Sequence, residues 1–298
     1  MSSFTRFDKA YRNAKFIPFD DTSKFILFSD CHRGDNSGAD DFANNRNIYY
    51  HALKQYFQKG FYYCELGDGD ELWENLTFQT IFESHKNIYG LLQLFYQENR
   101  LHLIWGNHDM VYRDKNQVKR NLHSFFDKKT GKDVPLFPGI EVNEAVILKH
   151  QQTDQEIFLC HGHQADWMNY VGWRFNRMMV RVIWRPLQGA GISDPTSPAK
   201  NYKELIKVEK RTKKWIVANN NKFTITGHTH RPRFPEPGDI AYFNDGSCVH
   251  PRSITGLEIE NGAIALVKWE IATTDEGVLK IVRVLLEGPQ KLIDYQIE

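Results

Sequence analysis

The sequence predicts an α/β fold in which short buried strands alternate with amphipathic helices. Two observations support this prediction. Short apolar runs recur along the chain as far as residue 226, and a Gly, Asp or His follows each of them at once or after one residue. Between the first three runs, apolar side chains recur at helical spacing, which gives the order strand, loop, helix, strand of an α/β sheet. The predicted strands are 24–28, 61–66, 101–105, 157–160 and 223–226.

The helical pattern between these strands comes in two segments. Because side chains three or four positions apart share one face of a helix, each segment can bury an apolar face on the sheet. The apolar positions are Phe42, Tyr49, Leu53 and Tyr56 in the first segment, and Phe78, Ile81, Phe82, Leu92 and Phe95 in the second.

Shorter strands are predicted beyond residue 226, at 240–243, 256–259 and 263–270. Turn residues, among them Asn261-Gly262, separate these strands. We expect them to form a second, mainly antiparallel sheet that packs on the first.

Residues 165–221 differ from their surroundings, because they are rich in Trp, Met and Arg and then in Lys. We interpret them as a helical cap inserted into a single domain of residues 1–298. Apolar residues recur there at helical spacing, and arginines form a row of their own. The apolar positions are Met168, Val171, Phe175, Met178, Met179 and Val182, and the arginines are Arg174, Arg177, Arg181 and Arg185.

Composition excludes several classes of protein. The chain has 38 basic and 37 acidic residues, so it lacks the basic excess that is typical of nucleic-acid binding. Its four cysteines are spread singly, which fits neither a disulfide-rich secreted domain nor a CxxC metal site. The first residues lack the apolar stretch of a signal peptide, and no apolar run approaches the roughly 20 residues of a membrane span. We therefore expect a cytoplasmic protein whose cap can contact the inner face of the membrane.

The residues best suited to chemistry lie in five loops that follow predicted strands. The loops offer carboxylates, one amide oxygen and several imidazoles, a donor set that suits Mn, Fe or Zn better than a thiolate site or an all-oxygen calcium cage. In an α/β sheet the loops at the carboxyl ends of strands converge on one edge, so these residues can meet. The loops are Asp30-Cys31-His32, Gly67-Asp68, Gly106-Asn107-His108-Asp109, His161-Gly162-His163 and Gly227-His228-Thr229-His230.

The ordered set DxH, GD, GNHD, HG and GHTH resembles the motifs of the calcineurin-like metallophosphoesterase superfamily. The resemblance implies a four-layered α/β/β/α sandwich of two mixed sheets flanked by helices. It also implies two divalent metal ions, with manganese expected and iron or zinc as alternatives. The implied ligands of one metal are Asp30, His32, Asp68 and His230, and those of the other are Asp68, Asn107, His161 and His228.

The same resemblance implies hydrolysis of a phosphodiester or pyrophosphate bond. A hydroxide that bridges the two metals attacks phosphorus in line, so no covalent intermediate is required. His108, oriented by Asp109, is implied as the proton donor or charge stabiliser near the leaving oxygen. Cys31 lies between two implied ligands, but alternation along an extended segment turns its side chain away from them, which disfavours a nucleophile there.

Several residues are expected to contact the substrate. Arg33 and Arg231 directly follow implied ligands and offer bidentate donors to a phosphate. His163 follows a ligand motif by one glycine and is expected to face the substrate or to support the ligands. In the cap, Arg174 and Arg177 are candidates for binding phosphates or anionic head groups, and the apolar face is a candidate for binding acyl chains.

GDGDELWE, the helical insertion and GHTHRP resemble, more narrowly, the UDP-2,3-diacylglucosamine pyrophosphohydrolase-like enzymes. That resemblance implies a UDP-linked or lipid-bearing substrate under the cap. The chain has GNHD where those enzymes have GNRD, and its tail after GHTHRP differs from theirs. Two alternatives stay open: a phosphoprotein or nucleotide phosphatase with the same metal site, and a non-catalytic protein-binding scaffold. The sequence does not predict the oligomeric state.

Overall fold

Two β-sheets lie face to face in the computed structural model of the chain, which describes residues 2–184 and 202–296. Helices pack on the outer face of each sheet, and apolar clusters fill the interfaces between the layers. The order of layers is helix, sheet, sheet, helix, which confirms the predicted α/β fold of two mixed sheets flanked by helices.

The larger sheet has seven strands of mixed direction. In spatial order they are β14 (Leu279–Lys291), β13 (Ala263–Thr273), β12 (Ser253–Glu260), β2 (Phe25–Phe28), β3 (Tyr62–Leu66), β4 (Leu101–Ile104) and β7 (Val142–Asn143). β2, β3, β4 and β7 are parallel to one another, whereas β12, β13 and β14 pair antiparallel with their neighbours. β2 is buried on both faces, which explains its continuous apolar run.

The smaller sheet has five strands. In spatial order they are β1 (Lys15–Phe19), β8 (Ala145–His150), β9 (Glu156–Cys160), β10 (Thr224–Thr226) and β11 (Tyr242–Asn244). β8 and β9 pair antiparallel, and the other pairs are parallel. A separate hairpin joins β5 (Ser124–Asp127) to β6 (Lys132–Pro135).

The assignment of strands to sheets differs from the prediction. β12 to β14 do not form the second sheet, because β12 pairs with β2 through Leu257 and Leu27 and so extends the first sheet. The second sheet instead combines β9 and β10 with β1, β8 and β11. A local apolar pattern predicts that a strand is buried. It does not predict which strand pairs with it, because pairing depends on the packing of distant segments.

The outer helices cover both sides of the sandwich. The larger sheet packs on α2 (Arg46–Gln58), α3 (Phe78–Ser84), α4 (Lys86–Gln97) and α5 (Lys115–Leu122), and the smaller sheet on α1 (Ser3–Arg12) and α8 (Tyr202–Ala218). Two short helices, α6 (Trp167–Tyr170) and α7 (Trp173–Met179), lead into a π-helical turn at Val180–Trp184. Single 3-10 turns lie at Met110–Arg113, His163–Ala165 and Leu292–Tyr295.

The predicted cap at 165–221 divides into two parts. α8 buries Leu205 and Ile216, and its Trp215 ring stacks on Phe7 of α1 with ring centroids 5.2 Å apart. α8 therefore belongs to the outer helical layer, and α6, α7 and the π-helical turn make up the described cap. Arg185, the last arginine of the predicted row, lies outside the described residues. No described helix is both long enough and apolar enough to cross a bilayer.

Candidate metal centre

The predicted ligands lie where strands of both sheets end. β2, β3 and β4 lead into the loops of Asp30, Asp68 and Asn107, and β9 and β10 lead into the loops of His161 and His228. Because the carboxyl ends of parallel strands open toward one edge, the loops converge there. Both sheets contribute to a single centre.

Sharp backbone turns direct these side chains. Five of the predicted ligand residues adopt a left-handed φ, which residues with a Cβ rarely occupy. Such strain persists only where the surrounding structure imposes it, and it is frequent at functional sites. The residues and their φ values are Asp30 (50°), His32 (48°), Asp68 (52°), His228 (66°) and His230 (54°).

Two motif glycines allow the loops to approach the ligand carboxylates closely. A Cβ atom on Gly106 would lie 2.1 Å from Oδ1 of Asp68, and one on Gly227 would lie 2.6 Å from Oδ2 of Asp30. Both separations are far below contact distance. Glycine is therefore required at these positions of the GNHD and GHTH motifs for steric reasons.

The structure brings the predicted ligands together in two groups of three. Within each group the candidate ligand atoms lie within 4.8 Å of one another. Asp68 connects the groups, since its Oδ2 atom lies 3.1 Å from Nε2 of His161 and 3.8 Å from Nε2 of His32. Asn107 Oδ1 lies 3.2 Å from His161 Nε2. The groups are Asp30, His32 and His230, and Asp68, His161 and His228.

The donor atoms of this centre fit divalent cations. His32 Nε2 and His228 Nε2 are buried and have no hydrogen-bond partner among the described residues, and Asp30 Oδ1 lies 3.0 Å from His230 Nε2. Buried polar atoms are normally satisfied, and leaving one unsatisfied costs about 1–3 kcal/mol. His161 Nδ1 lies 2.9 Å from the carbonyl oxygen of Leu66, so it donates there and leaves the Nε2 lone pair directed into the centre. Carboxylate and imidazole donors in this arrangement match the preferences of Mn, Fe or Zn.

Two acidic residues that the sequence analysis did not select lie next to the predicted ligands. The Ser29 hydroxyl lies 2.7 Å from Oδ1 of Asp245 and also bonds to Asp30. Burial and the charge of Asp30 raise the pKa of Asp245 well above its usual range. Asp166 Oδ2 lies 3.6 Å from His228 Nε2. The signal for Asp245 was its position directly after β11, which matches the other ligand loops.

Glu71, another residue that the sequence analysis did not select, connects a predicted ligand to His108. Its Oε2 atom lies 2.8 Å from Nδ1 of His32 and 2.7 Å from Nδ1 of His108. Burial acts to raise the pKa of Glu71, but His108 and His32 outweigh it and hold that pKa at about 2. The Trp73 ring stacks on one face of the His108 ring, with centroids 4.1 Å apart, and so holds the orientation of the imidazole plane.

Asp109 does not orient His108 as the resemblance implied. Its carboxylate accepts hydrogen bonds from the backbone N–H groups of Gly69, at 2.9 Å, and Gly106, at 2.6 Å. Burial and the nearby carboxylates of Asp68 and Asp70 raise the pKa of Asp109 well above its usual range. Asp109 therefore ties together the backbones of two ligand loops, and Glu71 is the carboxylate that contacts the imidazole.

Arg33 faces the interior and not the substrate side that the sequence predicts. Arg33 is buried, and its guanidinium donates to Glu65 at 2.6 and 2.8 Å and to Asp70 at 3.0 Å.

His163 also faces the interior, beside the predicted ligands His161 and His228, so of its two predicted roles the support of the ligands stays a prediction. His163 is fully buried beside Trp105, and neither ring nitrogen has a hydrogen-bond partner among the described residues. Burial, with the neighbouring imidazoles, holds the pKa of His163 well below its usual range.

The remaining predicted substrate residues lie at the surface. Arg231 is exposed and lies over the ring of Tyr202, 5.1 Å from its centroid. Arg174 is exposed on α7, and Arg177 is half-buried on the same helix. Cys31 is buried in the apolar core under the larger sheet, consistent with the expected outward turn from the ligands.

A groove of about 1100 Å³ lies between α7 and the chain segment that follows Asp109. Arg181 connects this groove to the centre, because its guanidinium donates to the carbonyl oxygen of Trp73 at 3.1 Å and the Trp73 indole stacks on His108. The link to His108 therefore runs through Arg181 and Trp73, and none of the predicted metal ligands lines the groove. The groove is lined by Met110, Val111, Arg113, Asp114, Gln117, Val171, Trp173, Arg174, Arg177, Met178, Arg181 and Val182.

Comparisons with known proteins were made at the level of sequence and structure. The model of the calcineurin-like phosphoesterase family matches residues 23–232, more than half of the chain. No curated protein matches the chain. Vacuolar Protein Sorting 29 from Cryptosporidium parvum is similar in structure at 15% identity and a TM-score of 0.39, over 90% of this chain and 100% of that chain. Vps29 from Chaetomium thermophilum is similar at 10% identity and a TM-score of 0.39, over 88% and 96%.

Proposed function

The chain belongs to the calcineurin-like phosphoesterase family, and we propose that it hydrolyses a phosphodiester or pyrophosphate bond with the help of two divalent cations. The observation that carries this proposal is the pair of three-residue donor groups, in which Asp68 of one group also lies 3.8 Å from His32 of the other. A carboxylate between two groups of imidazole and carboxylate donors is the arrangement that a two-metal site requires. The vestigial site of a scaffold would have no need of a complete donor set.

The ligand residues would hold the metals, and the bound metals would activate a water and neutralise phosphoryl charge. Asp30, His32 and His230 would hold one cation, and His161, His228 and Asn107 the other, with Asp68 between them. The chain's contribution is preorganisation, because strained turns and buried partners fix these donors before the substrate arrives.

His108 would donate the proton to the leaving group. Its Nδ1 atom is held by Glu71 and its face by Trp73, while 21% of its side chain stays exposed. The Nε2 atom is then the ring nitrogen that can reach a substrate. A proton donated from Nε2 to the leaving oxygen would stabilise the departing group.

The groove favours a substrate with a second anionic group and an apolar part, because its lining has four arginines and one acidic residue, Asp114, together with apolar side chains. Arg177 is partly desolvated there, and its Nε atom has no hydrogen-bond partner among the described residues. Burial and the charge of Arg181 lower the pKa of Arg177, so an anion in the groove would relieve a repulsion between two cations. A UDP-linked or lipid-bearing pyrophosphate offers such charge together with apolar surface.

Hydrolysis by the purified chain with added manganese tests this proposal on an aryl phosphomonoester, an aryl phosphodiester and a UDP-linked acylated sugar. We expect cleavage that Asp68→Asn abolishes and that Asp133→Asn, a matched change at an exposed aspartate, leaves intact. Preference for the UDP-linked lipid would support the pyrophosphohydrolase assignment. Turnover of phosphopeptides or nucleotides alone would favour the phosphatase alternative, and no turnover of any ester by the metal-loaded chain would contradict hydrolysis and favour a scaffold.

A further inference from the structure

A single hydrogen-bonded turn at residues 71–75 lies beside the candidate centre, and we call it the Trp73 turn. The backbone N–H of Asn75 donates to the carbonyl oxygen of Glu71 at 3.1 Å, and the Asn75 side-chain amide donates to the same oxygen at 2.9 Å. The last carbonyl oxygens of a helical turn that does not continue have no partner within the turn. Groups outside the turn must therefore satisfy the carbonyl oxygens of Leu72, Trp73 and Asn75, which are all buried residues.

Arg181, in the π-helical turn of the cap, donates to these three oxygens. Its Nε atom donates to the carbonyl oxygen of Trp73 at 3.1 Å. Its Nη2 atom donates to the carbonyl oxygens of Leu72, at 3.2 Å, and Asn75, at 3.1 Å. A guanidinium holds its donors in a rigid planar fork, which suits several fixed acceptors at once. One side chain of the cap thus closes the end of the Trp73 turn.

The Trp73 turn in turn holds His108. Glu71 contacts Nδ1 of His108 over 2.7 Å, and the Trp73 ring stacks on the imidazole with centroids 4.1 Å apart. The Nε1 atom of Trp73 is buried and has no hydrogen-bond partner among the described residues, so the backbone and the packing of the turn set the position of the indole. A displacement of the turn would therefore move two partners of His108 together.

We propose that Arg181 is a positioning residue, which fastens the cap to the Trp73 turn and so keeps His108 in the orientation that proton donation from Nε2 requires. Arg181 acts through the turn, and its contacts with the carbonyl oxygens do not depend on any reaction. The kinetic consequence rests on the proposed function. Loss of a partner that orients a functional imidazole typically lowers activity by about 10–100-fold.

Binding of a substrate anion is the other role open to Arg181, because this residue also lines the groove. The Nε and Nη2 donors are already bonded to carbonyl oxygens, so an anion would compete with the turn for them. Positioning depends on the fork of the guanidinium, whereas attraction of an anion depends mainly on the positive charge. Arg181→Lys keeps the charge and removes the fork, and it therefore separates the two roles.

Steady-state hydrolysis of two small phosphodiesters tests the proposal, one with 4-nitrophenolate and one with phenolate as the leaving group. Nitrophenolate is the weaker base and departs without a proton, so acid assistance matters mainly for the phenyl ester. We expect Arg181→Gln and Arg181→Lys to lower kcat on the phenyl ester by about tenfold, with little change in KM or on the nitrophenyl ester. Arg120→Gln, at an exposed arginine on α5, should behave like the parent chain.

The effect of Arg181→Gln should disappear when His108 is absent. In a chain that already carries His108→Ala, Arg181→Gln should change kcat on the phenyl ester by less than about twofold, because residues that act through one group are not additive. A general loss of structure would instead multiply the two losses, and that result would overturn the proposal.

The imidazole resonance of His108 gives a readout that needs no turnover. In a chain with isotope-labelled histidine and no added Mn²⁺, the signal that His108→Ala removes should lie upfield, because the stacked Trp73 ring shields it. Arg181→Gln should move this signal toward that of an unstacked imidazole, and Arg120→Gln should leave it in place.

Two results would overturn the proposal. An unmoved His108 resonance in Arg181→Gln would show that Arg181 does not position the imidazole. A raised KM in Arg181→Gln that Arg181→Lys restores, with kcat unchanged, would assign Arg181 to anion binding. If the parent chain hydrolyses no ester, the proposed function fails, and the resonance alone then decides whether Arg181 positions His108.

Discussion

Glu71 contacts His108 over 2.7 Å, and the same carboxylate oxygen contacts the predicted metal ligand His32 over 2.8 Å. One buried side chain therefore orients both His32 of the donor set and His108. Partners of this kind fix the tautomer and the direction of a catalytic or ligating imidazole.

We predict that Glu71→Gln lowers kcat by about 10–100-fold at saturating metal, because a neutral amide cannot accept from both imidazoles as the carboxylate does. Steady-state hydrolysis of an aryl phosphodiester measures the effect. Glu276→Gln, a change at an exposed carboxylate in the β13–β14 turn, serves as the control. An unchanged kcat in the Glu71→Gln variant would show that catalysis does not depend on the contacts of Glu71 with His32 and His108.

Replacing His108 by Ala should separate turnover from metal binding. Loss of the proton donor is expected to reduce kcat by roughly 10²–10⁴-fold. The metal content, measured by mass spectrometry of the purified variant, should stay near that of the parent chain, whereas Asp68→Ala should lose both metal and turnover. Full activity of the His108 variant on every ester tested would show that His108 has no part in the reaction.

Arg33 is expected to act on stability. Arg33→Leu leaves the buried carboxylates of Glu65 and Asp70 without their cation, and breaking a buried ion pair costs about 3–5 kcal/mol. Urea unfolding should report this loss as a lower midpoint, while Arg12→Leu on α1, at a more exposed arginine, should change the free energy of unfolding little. An Arg33→Leu protein with an unchanged free energy of unfolding and a raised KM would instead indicate that Arg33 binds the substrate.

Much of the fold and of the candidate centre could be predicted from the sequence, because the relevant signals are local. Buried strands such as β2 and β3 appear as apolar runs, and the polar residues that follow them lie at one sheet edge by the geometry of parallel strands. Asp30 and Asp68 come together for that reason, because they follow the neighbouring parallel strands β2 and β3, although their metal-binding roles remain predictions. His161 follows β9 in the other sheet, so its approach depends on how the two sheets pack.

Long-range relationships could not be predicted in the same way. Which sheet receives β12 depends on its pairing with β2, and the burial of Arg33 depends on Glu65 in a different strand. The contact between Glu71 and His108 joins two loops that are far apart in sequence. In each case the sequence showed the residue, but only the packing of distant segments determines its partner.

The activity of metal-free protein titrated with Mn²⁺ tests the central claim most directly. The account predicts no hydrolysis of an aryl phosphodiester before metal is added, and a rate that rises to a plateau at about two equivalents, because there are two donor groups and Asp68 of one lies close to His32 of the other. Full activity of the metal-free chain, or no hydrolysis once two ions are bound, would contradict it.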